Sequence, residues 1–167
     1  MDTVPYLAYG SNLHPARIGA RLDSITTLGT VELPGWAVHY HKSSADGSGK
    51  CNLTPAASGT AYAAVYEISL ADKARLDHIE GVGNGYRSTC IDVEIFGTVW
   101  VYLAEESYID DRLVPYDWYR AFVVEGARHH RFPAPYVDKL GAIGAACDPD
   151  DARRSANWAL LGSVADP

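Results

Sequence analysis

YLAYGSNLHPAR, residues 6 to 17, is an apolar segment that breaks at three small polar residues and then resumes with a different period. Val4 to Ala8 has the composition of a short strand. His14-Pro15 followed by Ala16, Ile18, Ala20 and Leu22 has the pattern of a helix with proline in its first turn. Gly10-Ser11-Asn12 therefore lies where a strand ends and a helix begins. Backbone N–H groups left free at such a place converge, and they favour an anion or a developing oxyanion. Gly10 permits a tight turn and lets a ligand approach the main chain. A plain structural turn fits the same residues. Neither G-x-x-x-x-G-K-[ST] nor G-x-G-x-x-G occurs, which argues against a nucleotide phosphate. Ser11 lacks the G-x-S-x-G setting of a hydrolase nucleophile.

Outward from this segment, Thr26 to Leu33 and Trp36 to His41 are expected as strands parted by Pro34-Gly35, with Ser43 to Lys50 as a loop. Ala61 to Ile68 is a further strand. Ser69-Leu70-Ala71-Asp72 has the form of a capping box with Asp in the Glu place, and it opens a helix through Glu80. Gly81-Val82-Gly83-Asn84-Gly85 stops that helix. Ser88 to Phe96 and Thr98 to Ala104 form a hairpin around Gly97. Helical pattern returns from Pro115, over Trp118 to Gly126, and again over Pro135 to Ile143. Strands outnumber helices and do not alternate with them as β-α-β units would. The expected class is α+β, a small, mostly antiparallel β-barrel with flanking helices. This domain spans residues 1–147, and residues 148–167 form a C-terminal tail with a short helix around Arg153 to Leu161. Trp158, Leu160 and Leu161 of the tail pack on the same chain or on a partner, so homo-oligomerisation stays open.

At 167 residues, 47% hydrophobic and 21% charged, the chain suits one globular core. A net charge of −7 argues against nucleic acid as a partner, because phosphate binding needs clustered Lys and Arg. Cys51, Cys90 and Cys147 are too far apart for a zinc or redox pair and are expected as buried thiols. His39 and His41 share a strand face, but no third ligand stands at a telling distance, so neither metal nor cofactor is expected. His129-His130, between two arginines late in a helix, suit its dipole. Asp92 and Glu94 alternate with Ile91, Val93 and Ile95 as on a solvated strand face. MDTVPYLAYG has no signal-peptide pattern and no membrane span is visible, which predicts a cytoplasmic protein.

Glu80 follows Leu76 by four residues and so shares its helical face. A carboxylate on an apolar face at the carboxyl end of a helix tends towards a raised pKa and suits general acid–base work. A helix-end glutamate paired with Lys73 or Arg87, or reaching solvent, fits equally.

Tyr9-Gly10-Ser11-Asn12-Leu13, taken together with Leu76-Asp77-x-x-Glu80-Gly81-Val82 and Gly85-Tyr86, resembles the γ-glutamylcyclotransferase family. Pro34-Gly35-Trp36-Ala37, Gly59 to Tyr66, Gly126-Ala127 and Phe132-Pro133-x-x-Tyr136-x-x-x-Leu140 extend the similarity across residues 5 to 143. The resemblance implies a cyclotransferase fold and a small-molecule γ-glutamyl substrate, cyclised to 5-oxoproline with release of an amino acid or amine. It gives Glu80 the role of acid and base. It gives substrate binding to Tyr9, Gly10, Ser11, Asn12 and Leu13, with Tyr86, Tyr102 and Tyr119. A relative acting on γ-glutamyl amines of a biosynthetic intermediate, and a noncatalytic binding module on the same fold, remain as alternatives.

Overall fold

The computed structural model describes residues 2–163; the last four residues of the predicted tail, 164–167, lie outside them. Strand β1 (Thr3–Ala8) carries the apolar run that opens the chain, and Tyr6, Leu7 and Ala8 are buried in it. It lies at the centre of a five-stranded sheet of order β2-β3-β1-β5-β4. β2 (Ile25–Ser43) and β3 (Gly49–Ser69) form one long bent hairpin, and β4 (Tyr86–Val93) and β5 (Gly97–Ala104) form a short one. β1 joins the two hairpins, antiparallel to β3 and parallel to β5. The sheet is thus mixed and its ladder does not close, which corrects the expected barrel.

Pro34-Gly35 does not end a strand, as the sequence suggested, but sits at a register shift inside β2. β2 is an edge strand, so a residue without an N–H is tolerated there. The tight turn between β4 and β5 is made at Gly97, whose φ is +66°. Only Cys51 of the three cysteines is buried; Cys90 and Cys147 are exposed.

Helix α1 (Pro15–Gly19) is one turn long and ends before Leu22. Helix α2 (Leu70–Glu80) has the predicted caps: the Ser69 hydroxyl accepts from the Asp72 N–H at 3.0 Å, and Gly81 follows in the left-handed region at φ +68°. Helix α3 (Asp117–His129) packs Phe122, Val123 and Ala127 into the core, all fully buried. Helix α4 (Ala134–Gly141) adds Val137 and Leu140. Helix α5 (Asp151–Leu161) is tied to α3 by polar contacts. Buried Asp148, just before it, accepts from Trp118 Nε1 at 2.8 Å and pairs with Arg153 at 2.5 Å, and the Arg153 guanidinium holds its carboxyl well below the usual carboxylate range.

Between β1 and α1, Ser11–Leu13 form a single 3-10 turn wedged against α3. The approach is close at Gly126. A Cβ there would stand 2.6 Å from Leu13 Cβ and 2.7 Å from the His14 nitrogen. In an open helix, replacing glycine with alanine stabilises by about 1 kcal/mol. Gly126→Ala is expected to do the opposite, destabilising by about 1–3 kcal/mol through overpacking against main chain that has no room to move. Chemical denaturation reads the sign directly, and a stabilised variant contradicts the wedge.

Candidate functional site

The end of β1, the 3-10 turn, the last residue of α2 and the start of α3 meet around one small pocket. Tyr6, Tyr9, Tyr86, Tyr102 and Tyr119 wall it, with Gly10, Ser11, Asn12, Cys51 and Glu80 completing the lining. Of the residues singled out in the sequence, Glu80, Tyr9, Gly10, Ser11, Asn12, Tyr86, Tyr102 and Tyr119 come together here. Leu13 does not line the pocket. It is fully buried behind the turn, and its carbonyl accepts from the Tyr66 hydroxyl at 3.3 Å and lies 3.0 Å from His130 Nε2.

Glu80 does not sit on an apolar face, as its helical register suggested. Its side chain is 16% exposed and is gripped by polar partners from the first turn region. Arg21 Nη1 donates to Glu80 Oε1 at 2.7 Å, and Asn12 Nδ2 donates to the same oxygen at 3.0 Å. Arg21 Nη1 also donates to Asn12 Oδ1 at 2.8 Å, and Asn12 Nδ2 to the Tyr6 hydroxyl at 2.9 Å. One carboxylate oxygen is therefore fully engaged, whereas Oε2 has no hydrogen bond among the described residues. Nor does Glu80 pair with Lys73 or Arg87; Lys73 Nζ goes to Asp77 at 2.5 Å.

The tyrosines divide by what their protons do. Tyr9 donates to the Tyr102 carbonyl at 2.5 Å, Tyr86 to the Cys51 carbonyl at 2.5 Å, and Tyr102 to Asp77 Oδ1 at 2.7 Å. Those three brace the wall. Tyr6 Oη and Tyr119 Oη instead accept, from Asn12 and from the Cys51 N–H at 3.1 Å. Neither proton reaches a protein oxygen or nitrogen among the described residues, and that of Tyr119 has the weakly accepting Cys51 sulfur beside it. Burial drives the pKa of both hydroxyls upward, so they stay protonated and can donate to a bound molecule.

The main chain adds further donors. Among the described residues the Ser11 and Asn12 N–H groups have no acceptor, while Leu13 and His14 N–H bond back to Gly10 and Ser11 carbonyls. Gly10 is required by contact: a Cβ would come 3.0 Å from Cys51 Cβ and 3.4 Å from the Tyr119 hydroxyl. Tyr6, Arg21 and Cys51 belong to the site without having been singled out. Arg21 follows a helix one turn shorter than its pattern, so nothing in the local periodicity aims it at residue 80.

The AIG2-like family model matches residues 60–140, a span that takes in Glu80, Tyr86, Tyr102 and Tyr119 and begins after the turn at Gly10. A solved gamma-glutamyl cyclotransferase superposes with a TM-score of 0.79 at 21% identity, covering 98% of this chain and 100% of its own. The chain has the cyclotransferase fold. An uncharacterized Homo sapiens protein superposes at TM-score 0.74 and 23% identity, over 87% of this chain and 90% of that one. YkqA from Bacillus subtilis does so at 0.69 and 18%, over 87% and 57%. No curated protein matches the sequence.

Elsewhere the histidines pair locally: His41 Nδ1 lies 2.7 Å from Asp111, and His39 stacks on His41 with ring centroids 5.0 Å apart. Among the described residues no group of three or more His, Cys, Asp or Glu is placed to hold a metal ion. No described helix is long and apolar enough to cross a membrane.

Cys51 lies in the pocket wall, and burial pushes its thiol up to about 12. Thiol chemistry needs the thiolate, so this group is not poised as a nucleophile. Iodoacetamide at pH 8 is expected to label exposed Cys90 and Cys147 in the folded protein and to spare Cys51 until denaturant is added. Peptide mass spectrometry separates the three; prompt labelling of Cys51 contradicts the assignment.

Proposed function

We propose that the protein is a γ-glutamylcyclotransferase, converting a γ-glutamyl amino acid or amine to 5-oxoproline and the free amino acid or amine. The observation that carries this is the state of Glu80: one oxygen is locked by Arg21 and Asn12, and the other has no hydrogen bond among the described residues and stands beside a pocket lined with donors.

The chemistry suits such a site because nucleophile and electrophile belong to one molecule. The substrate's α-amine attacks its own γ-carbonyl carbon; a new C–N bond closes the five-membered lactam, and the bond to the leaving nitrogen breaks. The protein has to hold the glutamyl chain folded and to move protons. Glu80 Oε2 takes a proton from the α-ammonium, leaving a neutral amine to attack. After attack the same oxygen returns that proton to the departing nitrogen and relays the second proton from the ring nitrogen to the freed amine, so the lactam keeps one N–H, the amine leaves as an ammonium, the carboxylate is regenerated and no water is consumed. Arg21 and Asn12 fix the rotamer of Glu80 through both steps. Negative charge develops on the former carbonyl oxygen, and the Ser11 and Asn12 N–H groups with the Tyr119 hydroxyl are the donors at hand to receive it. Cys51, held as a thiol, takes no covalent part.

Glu80→Gln keeps the side chain's size and its bond from Arg21 while removing the base. 5-Oxoproline release from γ-glutamyl-alanine is expected to fall by about 100-fold or more with the melting temperature little changed. Turnover close to wild type in that variant overturns the role.

A further inference from the structure

Beyond the tyrosine pocket lies a second, larger cavity of about 370 Å³, and the two share Ser11, Glu80, Tyr86 and Tyr119 in their walls. A γ-glutamyl group seated in the inner pocket, as the proposed function requires, places its scissile amide at Glu80. The outer cavity, which has Glu80 in its own wall, is then at hand for the leaving group.

That cavity is strongly basic in a chain whose net charge is −7. Arg17, Arg21, Lys42, Lys50 and Arg153 line it, against two carboxylates, Asp46 and Glu80. Three of the five cations are paired: Arg21 with Glu80 at 2.7 Å, Lys50 with Asp46 at 2.7 Å, and Arg153 with Asp148 at 2.5 Å. Arg17 and Lys42 have no carboxylate within ion-pair distance among the described residues.

Both are nonetheless built into the wall. Arg17 packs on the Trp118 and Phe122 rings and donates from Nη1 to Asn157 at 2.8 Å, while its buried Nε has no partner among the described residues. Lys42 is only 7% exposed, with Nζ 4.5 Å from the centre of the Tyr86 ring. Gly85, at φ +133°, keeps its place open, since a Cβ there would stand 2.7 Å from Lys42 Nζ. Burial lowers the pKa of both groups, as it does that of paired Lys50. Such a group is costly to bury unless something completes it.

We infer that Arg17 and Lys42 are completed by anionic groups of the leaving amine, so that the preferred substrates are γ-glutamyl peptides releasing an acidic amino acid and the disfavoured ones release a cationic amine. The α-carboxylate and the side-chain carboxylate of a leaving glutamate or aspartate supply two negative charges to two unpaired cations that come from different walls, α1 and β2. A leaving group such as putrescine brings a like charge instead. This inference rests on the cyclotransferase reading for its geometry, but its electrostatics can be tested without turnover.

The experiment compares kcat/KM for 5-oxoproline release from γ-glutamyl-glutamate, γ-glutamyl-alanine and γ-glutamyl-putrescine. It is run beside calorimetric binding of the same three compounds to Glu80→Gln. The expected order is glutamate, alanine, putrescine, with steps of about 10-fold, the size of one charge-assisted hydrogen bond. Lys42→Met is expected to shrink the glutamate-to-putrescine ratio by about 10-fold through KM, and Lys42→Glu to invert it. Arg17→Gln, with its own melting curve, serves if either Lys42 variant fails to fold. Equal kcat/KM on all three substrates, or putrescine first, overturns the inference and leaves the cyclotransferase intact. No product from any substrate overturns the cyclotransferase. In that case tighter binding of γ-glutamyl-glutamate than of the putrescine compound still supports an anion-selective cavity, and indifferent binding overturns that too.

Discussion

A carboxylate at the last residue of a helix, facing inward, has to find donors, and Glu80 finds them all in the short segment after β1. Asn12 and Arg21 reach the same oxygen, bond to each other, and connect through Asn12 to Tyr6. The network spans more than sixty residues of sequence, yet it is assembled from one turn and one helix end. Its geometry is only as good as the seat of that turn. The seat is provided by α3, whose Gly126 lets the helix backbone settle on Leu13 and His14. From behind, Tyr66 and His130 close on the Leu13 carbonyl. Packing and polar contacts thus both hold the turn, which is what a pre-organised donor set demands.

The parts of this arrangement that were legible in the sequence are the ones written in local chemistry. Ser69 and Gly81 bracket α2 because a hydroxyl cap and a left-handed glycine leave marks at fixed positions. The turn at Gly97 and the apolar run of β1 are equally local. The long β2–β3 hairpin was not legible, since Pro34-Gly35 has the composition of a break and becomes a bulge only because β2 lies at the sheet edge. The parallel contact of β1 with β5, which keeps the sheet from being a simple antiparallel one, pairs strands more than ninety residues apart and leaves no periodic trace. Arg21 was missed for a related reason. Helix α1 stops at Gly19, so Arg21 leaves the helix and turns to a partner that only the tertiary fold supplies.

Glu80 itself shows how a correct position can follow from an incomplete argument. Register put it beside Leu76 and hence inward, which it is. The further step, that inward meant apolar, did not hold, because a buried charge draws partners whenever the fold offers them. The outcome constrains chemistry more than an apolar pocket would. An unpartnered carboxylate can rotate, whereas one with Oε1 fixed by two donors presents Oε2 in a single direction.

The two cavities complete the electrostatic design. In the inner pocket the free donors are neutral hydroxyls and main-chain N–H groups, suited to charge that appears only during reaction. In the outer cavity the free donors are whole cations, suited to charge a ligand already carries. Glu80 stands on the boundary, and its pairing with Arg21 keeps the basic wall from being one continuous field. A ligand bridging the boundary would meet whole cations at Arg17 and Lys42 on one side and neutral donors on the other. Positioning of that kind is set before any bond changes, which is what a pre-organised site offers a flexible ligand.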